Sequence, residues 1–196
     1  MCIRDRPKVL ASPATPEVST SAALSLTALP GDGGIRSRSV AILVADGVDG
    51  KSIAAVQAAL SAAGARVHLI APRLGPVKPV DGEPIDATGT LENSPPVLFD
   101  GVVLPDGGGG VKALGAHVEV MDFISNQYRH GKTILALGAS KALLERAGVA
   151  VTLANGDADP GMVTGVAAKA EHAVASFITA LGRHRHPERE AGAPMP

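Results

Sequence analysis

The turn that follows the apolar residues 133–137 is where this sequence would be expected to hold a catalytic group. In an open α/β sheet, ligands and nucleophiles gather at the carboxyl ends of the strands, and a nucleophile often sits on a sharp strand-to-helix turn. Here the turn is formed by Gly138 and Ala139, and Ser140 follows at the N-cap position of the next helix. Because the turn has no Cys and its one hydroxyl is interpreted as a cap, it lacks a nucleophile.

A glycine run at residues 107–110, preceded by Asp106 and followed by Lys112, is the second candidate. A phosphate-binding loop of the G-x-x-x-x-G-K-[ST] type needs Lys directly after the last Gly and a hydroxyl next to it. Val111 stands between Gly110 and Lys112, and no Ser or Thr follows. The dinucleotide pattern G-x-G-x-x-G is absent as well. We therefore predict a flexible loop at the carboxyl edge of the sheet and no nucleotide site.

The histidines and the remaining acidic residues do not form a metal-binding pattern. No pair of histidines has the H-E-x-x-H spacing, and His184 and His186 fall in a polar, solvated tail, so we predict no metal site. Asp46 and Asp49 flank the end of the first strand, and Asp49 is interpreted as a helix N-cap carboxylate. The six histidines are His68, His117, His130, His172, His184 and His186.

Composition excludes several classes of function. The chain has 196 residues, 45% hydrophobic but only 2% aromatic, and a net charge of −1, so no basic surface for nucleic acid is expected. Its apolar runs are far shorter than the roughly 18 residues of a membrane span. One cysteine, Cys2, excludes an intramolecular disulfide and a Cys-based zinc site. These features predict a cytoplasmic protein that binds neither membranes nor nucleic acid.

Continuous apolar runs alternate with helical stripes along the chain. Strands are predicted at residues 40–45, 66–71, 102–104, 133–137 and 149–153. A helix is predicted after the first strand, one long helix between residues 111 and 128, and a closing helix around Phe177. Alternation of this kind predicts an α/β fold with three layers and a doubly wound, mainly parallel sheet.

The chain divides into four segments. Residues 1–6, MCIRDR, fit nothing that follows and are interpreted as a non-native leader. Residues 7–38 are rich in Pro, Ser and Gly and are predicted to form a linker arm, since proline prevents long helices and central strands. Residues 39–182 form the folded domain, and residues 183–196 are predicted to be a frayed polar tail.

Four separated motifs resemble the C-terminal domain of large-subunit catalases: PGDGGIRSRSVAILVADGVDG (30–50), IAPRLGPVKPVDG (70–82), VLFDGVVLPDGG (97–108) and YRHGKTILALG (128–138). They occur in the same order as in that family, and the resemblance covers residues 18–186. It implies a flavodoxin-like domain of the class I glutamine-amidotransferase-like superfamily, near its ThiJ/PfpI branch. This implied fold agrees with the one predicted from the strand and helix pattern.

The resemblance also implies which positions would carry chemistry. Active members of that branch have a Cys at the position of Gly138, often a His at Ala139, and a Glu at the position of Asp49. Their Pro-Gly-Gly loop, which can offer an oxyanion-hole amide, reads Pro-Asp-Gly here, with Asp106 in the middle. Glycine cannot form a thioester, and a carboxylate opposes a developing oxyanion. We therefore expect these positions to be degenerate and the family's hydrolase chemistry to be absent.

Catalase chemistry is expected outside this chain. The resemblance implies a preceding haem-binding core that supplies a proximal Tyr and a distal His, whereas Tyr128 here is expected to pack on a helix. The leading hypothesis is a non-catalytic accessory domain whose partners are that core and its tetramer, with haem only in the parent protein. The alternatives are a stand-alone ThiJ/PfpI-like hydrolase, glyoxalase or chaperone, and a flavodoxin-like binder of small molecules using the loop at 106–110.

Overall fold

A parallel β-sheet organises the part of the chain that the computed structural model describes, residues 33–190. The predicted leader, the arm up to residue 32 and residues 191–196 lie outside the described residues. The strands are β1 (Ser39–Leu43), β2 (Arg66–Ala71), β3 (Pro76–Val77), β4 (Ile85–Asp86), β5 (Gly89–Thr90), β6 (Gly101–Leu104), β7 (Thr133–Leu137) and β8 (Met162–Gly165). The helices are α1 (Gly50–Ala62), α2 (Gly108–Gly115), α3 (Val118–Arg129), α4 (Lys141–Arg146) and α5 (Ala170–Gly182).

The main sheet has the order β5-β2-β1-β6-β7-β8, and all of its strands run parallel. Successive residues of the central strands point to opposite faces, and each face has its own hydrophobic core. Val40 and Ile42 pack with α1 and α5, whereas Ala41 and Leu43 pack with α2, α3 and α4. Strands buried on both faces explain why the sequence shows continuous apolar runs. The predicted three-layer α/β fold is confirmed.

Helix α1 forms where its apolar spacing and caps predict it. Ile53, Val56 and Leu60 are buried on one stripe, and Asp49 caps the helix by accepting the Ser52 amide at 3.0 Å. The predicted capping role of Asp49 is therefore confirmed. Gly64 follows the helix with a φ of 85°, a left-handed conformation that glycine adopts without a Cβ penalty.

The single helix predicted between residues 111 and 128 is two helices, so that prediction was wrong. Helix α2 buries Leu114, and α3 buries Val120 and Phe123, while Val118 is exposed. Leu114 and Val120 are six positions apart, which is off the stripe of one continuous helix. Because the helix is interrupted at residues 116–117, the apolar stripes of α2 and α3 can both face the same side of the sheet.

The last strand was also placed wrongly. Residues 149–153 make only one antiparallel bridge, between Thr152 and Ala158, and β8 is the last strand of the sheet. The reason is a local turn: Asn155 Oδ1 accepts the Asp157 amide at 3.0 Å, and Gly156 has a φ of 90°. This turn folds the segment back on itself before the chain reaches the sheet edge, and the short β8 was too weak a pattern to recognise.

The domain begins before Ser39. Ile35, which the sequence analysis assigned to the linker arm, is buried in the core formed by α1 and α5. The Ser37 amide donates to the Gly64 carbonyl at 2.8 Å and holds this segment against the end of α1. A single apolar side chain among polar neighbours has no periodicity, so the sequence alone did not reveal this contact.

Residues 183–190 are packed on the domain, which corrects the prediction of a frayed tail for this part of the chain. Arg189 makes an ion pair with Asp159, with Nε at 2.6 Å from Oδ2, and both side chains are buried. The same guanidinium donates to the Lys132 carbonyl at 2.7 Å and lies 4.5 Å from the centre of the Tyr128 ring. These partners lie far from Arg189 in the sequence, so the polar composition of residues 183–196 alone could not predict the contacts.

His186 anchors the same segment. Its side chain is fully buried, its amide donates to the Gly131 carbonyl at 2.8 Å, and its Nε2 lies 3.0 Å from Thr133 Oγ1. Burial is the largest cause that lowers the pKa of this imidazole to about 4, and the charges of Arg189 and Arg183 act in the same direction. The carboxylates that oppose this lowering belong to Asp159 and Glu188.

No helix within residues 33–190 has the length and apolar character needed to cross a bilayer.

We predict that acid destabilises the domain through His186. The folded pKa of about 4 lies below the ordinary histidine pKa of 6.5, so the unfolded chain binds a proton first. The free energy of unfolding should therefore fall as the pH drops from 6.5 through 4, by an amount on the order of 2 kcal/mol. His186→Asn should remove this part of the decline. Urea denaturation across this pH range measures it.

The exposed His172 supplies the matched control. His172→Asn should leave the pH dependence of the wild-type chain unchanged. Equal slopes for the His186 and His172 variants would contradict a buried, neutral His186.

Candidate functional site

The carboxyl ends of β1, β6 and β7 meet at one edge of the sheet, where an α/β fold of this kind holds its ligands. The strand order reverses between β1 and β6, since β2 lies on one side of β1 and β6 on the other. Such a switch point opens a crevice outside the carboxyl ends of the strands. Asp49, Asp106, Gly138 and Ala139, which the sequence analysis singled out, all lie there. The structure therefore brings these four positions together.

The carboxylate of Asp106 occupies this crevice. Its Oδ1 accepts the Gly107 amide at 2.7 Å and the Ala139 amide at 2.8 Å, and the side chain is half-buried. The Asp106 carbonyl also accepts the Asp49 amide at 2.9 Å. Two backbone N–H groups aimed at one oxygen make a small anion site of the kind that stabilises oxyanions. In this protein the anion is part of the chain itself.

The elbow at Gly138 is shaped by that carboxylate. Gly138 has a φ of 53°, which favours a residue without a Cβ. A Cβ built at this position would collide with the carboxylate atoms of Asp106. To accommodate a side chain at Gly138, Asp106 would have to leave both amides. The two positions are therefore coupled: the space that a side chain on the elbow would need is filled by Asp106.

The glycine run is not a flexible loop, and that prediction was wrong. Helix α2 begins within it, and its backbone packs directly on the turn after β1. A Cβ at Gly47 would lie 2.9 Å from the Gly110 amide, and one at Gly107 would lie 2.8 Å from the Asp49 amide. Close approach of two backbones explains why glycine is needed here. The space is taken up by protein atoms, which disfavours a ligand loop at 106–110.

Asp49 is engaged away from the elbow. Its Oδ1 caps α1 at Ser52, and the neighbouring Gly50 amide donates to Asp81 Oδ1 at 2.9 Å. Asp81 lies in the loop between the antiparallel strands β3 and β4, and its carboxylate also lies 3.4 Å from Lys51 Nζ. The first turn of α1 therefore binds two carboxylates of this chain, as the helix dipole favours. The sequence analysis missed this role of Asp81, because Asp81 and Gly50 are 31 residues apart and no local pattern links them.

Ser140 stands at the N-cap position of α4, as the sequence suggested, but its hydroxyl does not cap the helix. A single 3-10 turn, Gly138–Ser140, directs its hydroxyl inward, where it is fully buried. The hydroxyl lies 2.9 Å from the Leu104 carbonyl and 2.8 Å from the Leu137 carbonyl, to which it donates, and the side chain makes no cap bond. It thereby joins the ends of β6 and β7. A hydroxyl bound to two backbone carbonyls is structural, and within residues 33–190 its hydrogen bonds are to these carbonyls.

Metal and haem ligation have no support in the described part of the chain. Within residues 33–190, no three or more His, Cys, Asp or Glu side chains form a group that could hold a metal ion. Tyr128 is half-buried, and the Arg189 guanidinium covers its ring, so the surroundings of this phenol do not fit a haem ligand.

An open groove of about 700 Å³ lies between the first turns of α1 and α5. It is lined by side chains of mixed charge, including Lys51, Asp81 and Glu171.

Similar solved structures define the class of fold. A mutant of a DJ-1 superfamily protein from Salmonella typhimurium aligns with a TM-score of 0.65 at 21% identity, over 79% of this chain and 95% of that chain. Drosophila melanogaster DJ-1beta gives a TM-score of 0.65 at 23% identity, also over 79% and 95%. A ThiJ/PfpI family protein from Pseudomonas syringae gives 0.62 at 18% identity, over 83% and 78%. The predicted flavodoxin-like fold is confirmed.

Sequence relatives define the family. Residues 36–191 match the C-terminal domain found in long catalases. Catalase HPII of Pseudomonas aeruginosa is 37% identical over 185 residues, 93% of this chain, and that of Pseudomonas putida is 35% identical over 177 residues, 90% of this chain. Catalase C of Rhizobium meliloti is 36% identical over 148 residues, 76% of this chain. The chain belongs to the family of C-terminal domains of long catalases. It spans 24%, 23% and 20% of these three relatives, respectively.

We predict that a side chain at Gly138 is rejected by Asp106 as well as by the backbone. Gly138→Ala should cost about 2–5 kcal/mol, because it adds a collision to the penalty of a positive φ. In an Asp106→Ala background the collision is gone, and the same substitution should cost only about 1–2 kcal/mol. Urea denaturation of the two single variants and the double variant completes the thermodynamic cycle.

Gly148 is the matched control, since its φ is 67° and a Cβ there would meet nothing within 4 Å. Gly148→Ala should show the backbone penalty alone and no coupling to Asp106→Ala. A Gly138→Ala penalty that is the same in both backgrounds would contradict the coupling.

Proposed function

We propose that this chain is a non-catalytic accessory domain at the C-terminus of a large-subunit haem catalase. The observation that carries this proposal is the Asp106 carboxylate, which already occupies the two backbone amides at the elbow. Acyl-transfer chemistry at this place would need a nucleophile on the elbow and free donors for an oxyanion. In this chain, Gly138 stands where the nucleophile would be, and the amide donors already bind the Asp106 carboxylate. These features support loss of the enzymatic chemistry of the ThiJ/PfpI branch.

The neighbouring positions support the same conclusion. Ala139 offers only its backbone amide, and Asp49 is held by the first turn of α1. Its carboxylate is one methylene shorter than that of Glu, so it would fall about 1 Å short of a group on the elbow, a displacement that can lower a rate a hundredfold. We propose that Gly138, Ala139, Asp49 and Asp106 are the degenerate remains of a catalytic elbow.

The activity of the parent protein is proposed to lie in the part of the polypeptide that precedes this domain. The chain spans about a quarter of the long catalases that it resembles. In the proposed parent, a haem-binding core converts hydrogen peroxide to water and dioxygen in defence against oxidative stress. The proposed partners are this core and its tetramer, in the cytoplasm. The domain would stabilise the core and control access to it.

The isolated chain should show no turnover. We expect neither peroxide dismutation nor hydrolase, deglycase or glyoxalase activity from the purified wild-type protein, since residues 33–190 offer no fitting haem ligand and Gly138 supplies no nucleophile at the elbow. Assays with hydrogen peroxide, methylglyoxal and small peptide and ester substrates test this, with heat-killed protein as the control. Turnover that persists after iron chelation and thiol blocking would reveal a catalytic group and refute the proposal.

The coding sequence upstream of this chain distinguishes the parent catalase from a stand-alone protein. We expect an open reading frame that continues upstream of codon 1 and encodes a haem-catalase core. Sequencing the upstream DNA measures this directly. A ribosome-binding site immediately before Met1 would instead favour a stand-alone protein.

A further inference from the structure

An exposed turn shortly before β8 carries the pair Asn155 and Gly156. The Gly156 amide donates to the Leu153 carbonyl at 2.9 Å, and the Leu153 amide donates to the Asp157 carbonyl at 2.8 Å. The first of these bonds closes a β-turn. Asn155, Gly156 and Asp157 are all exposed, so water reaches their side chains and backbone. We name residues 153–157 the Asn-Gly turn.

Asn155 is the one asparagine in this sequence that precedes a glycine. The other two, Asn93 and Asn126, precede a serine and a glutamine. The backbone nitrogen that follows an asparagine can attack the carbon of its side-chain amide, and a side chain on the residue that carries this nitrogen hinders the attack. Gly156 has no Cβ. A Cβ built there would meet nothing within 4 Å among residues 33–190, so the approach of its nitrogen is open.

The side-chain amide of Asn155 is held by Asp157. Its Oδ1 accepts the Asp157 amide at 3.0 Å, and its Nδ2 donates to Asp157 Oδ2 at 2.7 Å. Attack on Cγ of Asn155 places negative charge on Oδ1, and the Asp157 N–H already donates to this oxygen. A backbone donor that is in place before an oxyanion develops lowers the barrier to its formation. The geometry of the turn therefore favours the attack.

One hydrogen bond opposes the attack. The Gly156 nitrogen is the attacking atom, and its proton is donated to the Leu153 carbonyl. This bond must open before the nitrogen can lose its proton. The residues that flank the turn pair through the bridge between Thr152 and Ala158, and both of these residues are exposed. Exposed segments with few buried contacts open locally at little cost in free energy. Opening of the turn therefore permits the reaction without unfolding of the domain.

We propose that Asn155 is a site of spontaneous deamidation, with water as the co-reactant. The Gly156 nitrogen releases its proton to water and forms a bond to Asn155 Cγ, and the bond between Cγ and Nδ2 breaks. Nδ2 takes a proton from water and leaves as ammonia, so the two proton transfers balance.

The product of this step is a succinimide ring, which water opens at one of two bonds. Cleavage between the Gly156 nitrogen and Cγ leaves aspartate at position 155. Cleavage between the same nitrogen and the main-chain carbonyl carbon of residue 155 leaves isoaspartate, in which the chain runs through the former side chain.

Deamidation loosens the turn in which it occurs. Either product replaces the hydrogen bond from Asn155 Nδ2 to Asp157 with two neighbouring carboxylates, which repel each other. Isoaspartate also inserts a methylene into the main chain before Gly156, which displaces the Gly156 amide from the Leu153 carbonyl. The modified turn should therefore open more readily than the original one.

The first test follows the purified wild-type chain at neutral pH and physiological temperature over several weeks. Peptide mapping by mass spectrometry measures conversion at each asparagine, and isoaspartyl methyltransferase labels the isoaspartate in the resulting peptides. Asn93 is the matched control, because it is also exposed but precedes a serine. Asn155 should convert about tenfold faster than Asn93, since hindrance that displaces an attacking atom lowers a rate steeply. Conversion at Asn155 should also rise with pH, because the attacking nitrogen must lose its proton.

Two sets of variants test the mechanism and its consequence. Gly156→Ala should slow conversion at Asn155 about tenfold, whereas Gly148→Ala, at another left-handed position, should leave it unchanged. N155D imitates the aspartate product, and N155D combined with D157N keeps the net charge of the wild-type chain and can re-form the side-chain hydrogen bond. Hydrogen exchange of the Gly156 amide should be about tenfold faster in N155D than in the double variant, because the repelling carboxylates favour the open turn.

The comparison within the wild-type chain does not depend on the folding of any variant. Conversion at Asn155 that is no faster than at Asn93, or a Gly156→Ala chain that converts at the wild-type rate, would overturn the modification site. Equal hydrogen exchange in N155D and the double variant would overturn the loosening of the turn.

Discussion

Burial of the sheet on both faces is the constraint on which the rest of this structure depends. Small aliphatic residues fill the two cores, and helices cover both sides of the central strands. Polar and glycine-rich segments are consequently confined to the two edges where the strands begin and end, because buried backbone groups must be hydrogen-bonded. The polar interactions of the domain are therefore concentrated at these two edges, and they differ between the carboxyl edge and the amino edge.

The carboxyl edge is closed by the chain itself. Asp106 satisfies the amides of Gly107 and Ala139, and Ser140 ties the neighbouring strand ends together. The backbone of the glycine run fills the rest of the crevice against Gly47. In this class of fold the crevice can hold a nucleophile and an oxyanion. Here it is filled by the chain's own hydrogen-bonded groups. The same amides that could serve catalysis contribute here to folding, since they have an internal partner.

The amino edge, by contrast, combines buried charged side chains with the exposed apolar side chains of Val97 and Leu98. Lys132 is buried and binds backbone carbonyls, whereas Arg189 is buried with Asp159 as its partner. Replacing one member of a buried ion pair leaves an uncompensated charge, so such pairs fix where a segment docks more than they add to stability. The Arg189 pair fixes the C-terminal segment. Lys132 instead fixes the turn at Pro96–Leu98, whose flanking carbonyls accept from its ammonium.

The sequence by itself determined the layers, the parallel sheet, the cap at Asp49 and the absence of a nucleophile at Gly138, because each follows from residue type and local spacing. Tertiary structure decided that Asp106 fills the elbow, that Ser140 joins two strands and that residues 183–190 dock. In each of these cases the partner is distant along the chain: Asp106 and Ala139 are 33 residues apart, and Arg189 and Asp159 are 30 residues apart. Periodicity and propensity report on neighbours in sequence, whereas a polar side chain's role is set by the atoms that folding brings to it.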